Sequence, residues 1–403
     1  LNLRSSIKEQ IMAKILFTGA FRFPDGDAAS LRLNNMINIL KPYYDEILVC
    51  GWEQKNKSLI DNQFYLHNSI KCFPQAELDN NSTTLLEKFG SFIYKGERTL
   101  NWIENYFKKD TIEIIVVYNP PALFALKLIS LCKKYNIKLI LDSTEWYDSS
   151  HLPMGRFGLP AIENFIRMHY VYPKIPNIIS ISHYLNNYYS KKSHRPNINQ
   201  MVLPIVLDCH LAAEKPSIEQ GINFIYAGNL GKKDNIIDFI NYLPTLHQQL
   251  NCPILFNIAG VTFSQLKDLL GSENFDRIQS YIKCHGRLSR SDVIDLYSKS
   301  HFSVLFRDDK RYAHAGFPTK LVESWSMATP VICNPIGDIT LYAQHGENAC
   351  IVNDINEVAK FLGDVLKNNQ YKYMQQQCQE TIELKLSNKV YSNQLLEFFR
   401  RLK

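Results

Sequence analysis

Two apolar runs that each lead into a glycine turn constrain this chain more than any other feature. They are KILFTGA at residues 14–20 and INFIYAG at residues 222–228. Each opens a series in which short β-branched or aromatic runs alternate with longer stretches of helical periodicity. After the first come DEILVCGW, EIIVVYNP, IKLILDS and NIISIS, with DAASLRLNNMINIL, PALFALKLISLCKKY and HYLNNYYSKK between some of them. After the second come DNIIDFINYLPTLHQQL, PILFNIAG, SRSDVIDLYSKS, HFSVLF, PTKLVESWSMA and VICNP, and helices finish the chain. Alternation of this kind predicts parallel α/β sheets. That it restarts predicts two doubly wound domains joined near Asp208, with the polar stretch CHLAAEKPSIEQG as linker and a cleft between them. A chain of 403 residues has room for both.

Composition narrows the function classes. No apolar run approaches the ~20 residues that span a bilayer. The nine cysteines are scattered without a Cys-x-x-Cys spacing, so neither a zinc site nor a disulfide framework is indicated. No secretory signal pattern is present, and a reducing cytoplasm is the expected compartment. The segment before MAKILFTGA reads as an extension, with Met12 as an alternative start. A net charge of +6 is mild and no nucleic-acid-binding motif stands out, so no nucleic-acid partner is expected.

In doubly wound sheets ligands sit beyond the carboxyl ends of the strands. FTGAFRFPDGDAAS places Gly19, Arg22 and Gly26 there in the first half, before a helix expected from about Asp27. It is not a Gly-x-Gly-x-x-Gly fingerprint, and it also reads as a plain βα turn. In the second half YAGNLGKKDN places Gly228, Asn229, Gly231, Lys232 and Lys233 before a helix read as capped by Asp234. CHGRLSRSD adds His285 and Arg287. FRDDKRYAHAGFPTKLVESW adds Arg307, Lys310 and Arg311 on a charged loop, then Gly316, Phe317, Pro318 at the first helical position, Thr319, Lys320 and Glu323. Each segment alone also reads as solvated loop, and Glu323 as an i,i+3 partner of Lys320. Their convergence on one sheet edge, at a helix N-terminus, points instead to an anion such as a diphosphate. LDSTEWYDSS ends a strand of the first half with Asp142, Glu145, Trp146 and Asp148, a composition shared by sugar sites and ordinary loops.

These segments resemble the retaining GT-B glycosyltransferases of family 4. The resemblance runs over nearly the whole chain from Met12, on TGAFRFPDGDAASLR, IISISHYL, VLPIVLD, YAGNLGKKD, HGRLS and, most specifically, AGFPTKLVESWSMATPVI. It implies an acceptor-binding domain over residues 12–208, a nucleotide-sugar-binding domain over 220–385, and a last helix, 386–403, that returns to the first domain. It implies donor contacts at Gly26, Gly228, Asn229, Lys232, Arg287, Gly316, Phe317, Pro318, Thr319, Lys320 and Glu323. Lys233 and Arg307 would assist the leaving diphosphate, and Glu323 would bind ribose hydroxyls. Glu145, Trp146 or a neighbour stands where the family often has a histidine. The family's acidic motif has two glutamates separated by seven residues. The second falls on Glu323 and the first on Ala315, and Asn229 takes the place of an arginine.

The implied reaction moves a sugar from a UDP- or GDP-linked donor to a glycan or lipid-linked acceptor in bacterial surface polysaccharide synthesis, without metal or cofactor. Two other readings share the fold: a non-catalytic partner subunit, and a nucleotide-sugar epimerase. Two basic-aromatic stretches, residues 85–110 and 155–174, suit either a lipid interface or helices packed on a sheet.

Overall fold

The protein is described by a computed structural model over residues 11–24, 28–55, 59–60, 63–78, 90, 93–193, 198–209, 215–229 and 233–403. The chain divides into two compact units. The first runs to Pro204 and also takes in Ser392–Lys403, and the second is Ile205–Tyr391.

The first unit holds an eight-stranded sheet in the order β3-β4-β2-β1-β5-β6-β7-β8. The strands are β1 (Ile11–Gly19), β2 (Tyr44–Cys50), β3 (Tyr65–His67), β4 (Ile70–Cys72), β5 (Ile114–Tyr118), β6 (Lys138–Ser143), β7 (Asn177–Ser180) and β8 (Asn199–Val202). All neighbours pair in parallel except the β3–β4 hairpin at the edge. Central strands buried on both faces have no need of alternation, which is why Ile15, Leu16 and Phe17 are all inaccessible. The helices are α1 (Ala28–Leu40), α2 (Glu97–Phe107), α3 (Ala122–Lys134), α4 (Leu159–Ile166) and α5 (His183–Lys192).

Helix α1 is less amphipathic than its sequence suggests, because the polar residues Arg32 and Asn35 are buried along with its apolar ones. Arg32 forks onto Asp142 at the end of β6, with Nε 2.9 Å from Oδ2 and Nη2 2.7 Å from Oδ1, and donates from Nη1 to the carbonyls of Leu203 and Pro204. The end of the chain is tied to the same sheet. Asn199 donates to the carbonyl of Phe398, and the ring of Phe399 lies 5.9 Å from that of Tyr44.

The second unit holds six parallel strands in the order β11-β10-β9-β12-β13-β14. They are β9 (Ile222–Ala227), β10 (Ile254–Ala259), β11 (Ile282–Gly286), β12 (Phe302–Leu305), β13 (Val331–Cys333) and β14 (Ala349–Ile351). The helices are α6 (Ile237–Leu250), α7 (Phe263–Leu270), α8 (Ser272–Ile278), α9 (Arg290–Ser298), α10 (Arg311–Ala315), α11 (Thr319–Ser326), α12 (Glu357–Lys367), α13 (Tyr371–Thr381) and α14 (Asn388–Arg400), whose last residues belong to the first unit. Phe239, Ile240, Leu243 and Leu246 bury one stripe of α6 on this sheet, and the rings of Phe224, Phe239 and Phe256 stack edge to face at 5.3 and 5.2 Å.

Three local expectations shift. The charged segment after β12 is not all loop, since Arg311–Ala315 closes one helical turn. Pro318 is the residue before α11 rather than its first, and the helix is two turns long, because Met327 and Ala328 leave the helical region ahead of Pro330. Asp234 does not cap α6, which starts after Ile236 with no side-chain cap.

Candidate functional site

In the second unit Asp234 is freed from capping and receives two cations. Arg307, just past β12, donates from Nε to its Oδ1 at 3.0 Å. Lys320, in the first turn of α11, donates from Nζ to its Oδ2. Tyr226, near the end of β9, shares its hydroxyl proton between Asp234 Oδ2 at 3.1 Å and the carbonyl of Asn229 at 2.9 Å, and its ring centre lies 4.5 Å from Lys320 Nζ. Burial works to raise the Asp234 carboxyl, but Lys320 and Arg307 outweigh it and hold the group at about 2. Burial likewise pulls the Lys320 ammonium down, and Asp234 only partly restores it. Asn334 fixes Arg307 through both its backbone groups, accepting from the N–H at 3.0 Å and donating to the carbonyl at 2.7 Å.

Gly228 makes room for this group. A Cβ there would lie 2.7 Å from Lys320 Nζ and 3.0 Å from the Tyr226 hydroxyl. Its N–H is bonded to the carbonyl of Ala259 at 2.9 Å, so Gly228 supplies space and not a donor. The same holds for Gly316, whose N–H is taken by the carbonyl of Tyr312 at 3.1 Å. Among the described residues the N–H groups of Phe317, Thr319 and Lys320 carry no such bond, as the start of a helix requires. They are the free donors there. The Phe317 ring is buried edge-on against Tyr342, with centroids 5.5 Å apart, and anchors the turn.

Glu323 lies one turn further along α11. Its carboxylate is partly buried and makes no hydrogen bond or ion pair among the described residues. Burial pushes it above the usual carboxylate range, against the pull of Arg290 and Lys320. Lys233 follows the glycine loop, and its carbonyl accepts from the Tyr312 hydroxyl at 3.0 Å. Arg287 is exposed in the turn between β11 and α9. Gly26 and Lys232 fall outside the described residues, as does Gly231. Ala315 ends α10, fully buried.

The first unit has its own cavity, of about 360 Å³, beyond the carboxyl ends of β1, β5 and β6. Glu145 lines it with Lys95, Tyr118, Tyr147, Glu163 and Arg167. The three carboxylates of the β6 end separate by role. Asp142 is spent on Arg32, and Asp148 accepts from Ser150 N at 2.9 Å. Glu145 alone of the three reaches the cavity. Its approach is set by Asn119, which accepts from Thr144 N at 3.0 Å and donates to Thr144 Oγ1 at 2.6 Å. Burial first, and then the Glu145 carboxylate, raise the Tyr147 hydroxyl. Trp146 is turned inward against Tyr188, with ring centres 4.4 Å apart, and is no platform for a sugar. Two buried donors on the cavity wall, Trp52 Nε1 and Arg167 Nε, have no hydrogen-bond partner among the described residues.

Asp234, Tyr226, Lys95, Glu163 and Arg167 escape the sequence reading. Asp234 and Tyr226 flank the glycine loop and were legible as its neighbours, whereas Lys95 belongs to no motif. Glu163 and Arg167 are spaced i,i+4 on one helical stretch, a signal that says pair but not cavity.

Two doubly wound α/β units, the second gathering cations at the start of a helix, make this a GT-B fold. Residues 221–368 match the protein-family model described as glycosyl transferases group 1, so the second unit carries a domain of that family. No curated protein sequence matches the chain. Solved structures match nearly end to end. Sucrose-phosphate synthase from Thermosynechococcus elongatus aligns with a TM-score of 0.71 at 12% identity, over 96% of this chain and 98% of that one. HepE from Anabaena, solved in complex with UDP-glucose, aligns with a TM-score of 0.67 at 14% identity, over 96% of this chain and 100% of that one. WaaG, a glycosyltransferase involved in lipopolysaccharide biosynthesis, aligns with a TM-score of 0.65 at 10% identity, over 95% and 99%. Identities this low speak for the fold.

Proposed function

We propose that the chain is a retaining glycosyltransferase that moves a sugar from a nucleoside diphosphate-sugar to a glycan or lipid-linked acceptor of a bacterial surface polysaccharide. The observation that carries this is the pairing of two cations with one carboxylate beside the open N–H groups of α11. Lys320 and Arg307 against Asp234 leave one positive charge in surplus, and Lys233 stands on the neighbouring loop. A diphosphate meets that surplus together with the N–H groups of Phe317, Thr319 and Lys320. Charge grows on the diphosphate as the glycosidic bond breaks, and donors already held in place stabilise it without reorganising. Asp234 positions: it keeps Lys320 protonated in a buried setting and aims both cations. Glu323, with no hydrogen bond among the described residues and one turn along the helix, accepts from the two ribose hydroxyls.

The UDP-glucose bound by HepE supports a uridine diphosphate donor, and the lipopolysaccharide role of WaaG supports a surface-glycan acceptor. The acceptor belongs to the cavity of the first unit. Glu145 there accepts a hydrogen bond from its hydroxyl, and Arg167 Nε and Trp52 Nε1 are donors for its oxygens. In a retaining reaction the departing phosphate takes the acceptor proton, which leaves Glu145 to orient the acceptor hydroxyl. Charge compensation by Lys233, Lys320 and Arg307 makes the reaction metal-independent.

The test is incubation of the purified protein with UDP- and GDP-linked sugars, read by release of nucleoside diphosphate and by proton NMR of the first-formed anomer. Release of the α-anomer from an α-linked donor is expected, undiminished by a chelator. A β-anomer ends the retaining assignment. Interconversion of the intact donor marks an epimerase, and no turnover with any donor marks a partner subunit.

A further inference from the structure

Helix α4 has two faces, and only one is accounted for. Its inner face presents Glu163 to the cavity, and Arg167 follows just past its end. Its outer face presents Leu159, Ile162, Phe165 and Ile166 to solvent, all more than a third exposed. The turn before it exposes Met154 by 83% and Phe157 by 75%, and the turn after it exposes Tyr170 by 59%. Met154 stands in a left-handed turn at φ 61°, a conformation that costs energy for a large side chain and is not repaid by packing. An apolar strip this continuous marks an interaction surface.

Along the segment that carries the strip the exposed charge has one sign. From Ser149 to Ser193 the only carboxylate is Glu163. That carboxylate is turned inward, accepting from Ala122 N at 2.8 Å and lying 4.0 Å from Arg167 Nε. Asp148, just before the segment, is occupied with Ser150. Arg156 and Lys174 are exposed, at either end of the strip, and the Arg156 guanidinium sits 4.7 Å from the centre of the Phe157 ring. Residues 155–174 are one of the two basic-aromatic stretches visible in the sequence. In the other, Trp102 of α2 packs at 4.6 Å against Phe73, as a sheet-covering helix should.

We infer that the strip from Met154 to Tyr170 docks the first unit on an anionic bilayer surface. Phe157, Phe165 and Tyr170 enter the headgroup boundary, and Arg156 and Lys174 meet lipid phosphates. The docking rests on the first unit alone and does not depend on the donor reading. If the acceptor is lipid-linked, it also gives α4 a use for both faces, with the bilayer on one side and the acceptor cavity on the other.

The experiment is co-sedimentation of the full chain with phosphatidylcholine vesicles and with vesicles that also contain phosphatidylglycerol. Partitioning is expected to rise at least about tenfold with the anionic lipid and to fall with added salt. Met154→Asn combined with Phe157→Ser is expected to lower it about tenfold or more. Arg156→Glu is expected to lower it at least about fivefold on the anionic vesicles alone. Both sets replace exposed side chains, and unchanged thermal unfolding confirms the fold. Equal partitioning to the two vesicle types, partitioning to neither, or wild-type behaviour of the variants overturns the inference. So does a dimer in sedimentation velocity that the Met154→Asn/Phe157→Ser variant dissolves, which would assign the strip to a second copy of the chain.

Discussion

Arg307 Nε donates to Asp234 Oδ1 at 3.0 Å, while Lys320 occupies the other oxygen of the same carboxylate. One acid therefore holds in one place two bases, one just past the end of β12 and one in the first turn of α11. The arrangement carries a signed dependence on pH. The folded Asp234 is held at about 2, below the ordinary aspartate value of about 3.9. A depressed carboxyl contributes its full stability above the unfolded value and loses it as pH falls through the folded one. Asp234→Asn is therefore expected to be less stable than the parent at pH 7, with the gap narrowing by about 2 kcal/mol between pH 4 and pH 2. Urea unfolding of the two proteins across that range is the check. A gap that stays constant removes the ion pairs as its source.

Lys233 and Lys320 test the leaving-group assignment. Lys233→Ala is expected to lower turnover about 10²-fold while unfolding at the parent temperature. Lys320→Ala is expected to lower turnover as far but also to lose stability, because Asp234 rises in pKa once its stronger cation is gone. Steady-state rates with the best donor decide this. Parent-like turnover of Lys233→Ala would leave the charge to Lys320 and Arg307.

Glu323 is expected to make nucleoside diphosphate affinity depend on pH. Its carboxyl is raised by burial, so it protonates at a higher pH than a solvent-exposed glutamate. Protonation removes acceptor capacity toward the ribose hydroxyls. Affinity for UDP should weaken as pH falls into the mildly acidic range, and Glu323→Gln should be weaker at neutral pH and flat across that range. Calorimetric titration at several pH values measures both. A parallel pH profile in the two proteins would return Glu323 to packing.

Arg32 and Asp142 form the buried pair under the first unit's cavity, with side chains 2% and 0% exposed. Removing one partner leaves a buried charge uncompensated. Arg32→Met or Asp142→Asn is expected to cost about 3–5 kcal/mol in denaturant unfolding. The double variant Arg32→Met/Asp142→Asn should cost less than the sum of its single changes, because neither charge is then stranded.

The fold was legible because buried parallel strands announce themselves as unbroken β-branched runs, and IIVVY and INFIYA do so without help from tertiary context. The candidate positions on α11 were legible for a similar reason, since the stripe of Leu321, Val322 and Trp325 fixes which face of the helix is left for Lys320 and Glu323. What stayed hidden was long-range pairing. Asp234 looked like a helix cap because local sequence favours that reading, and only the approach of β12 and α11 supplies its cations. Arg32 lies in a run read only for its helical periodicity, and its partner lies 110 residues away. The outer face of α4 ran the other way: its composition suited either packing or a lipid interface, and burial shows it uncovered.

Ala315 carries the last prediction. It stands where the resembling family has the first of two acids, and it is fully buried at the end of α10 beside Gly316. The neighbouring His314 is held by Asp309, with Nε2 2.6 Å from Oδ1, which limits it as a replacement acceptor. A buried carboxylate without a hydroxyl to bind is costly. A small residue therefore suits a donor sugar that lacks the hydroxyl such an acid would hold, or that carries an acetamido or deoxy position there. The parent is expected to prefer N-acetylated or deoxy donors over plain glucose or galactose donors by about tenfold or more in kcat/KM, the scale of one unpaired hydrogen-bonding group. Ala315→Glu should shift that preference toward the plain hexoses, while Ala315→Gln, which adds bulk without charge, separates size from hydrogen bonding. A donor screen on the three proteins measures this. If the parent works best with plain hexoses and Ala315→Glu improves them no more than the N-acetylated or deoxy donors, the sugar is not the reason for the missing acid.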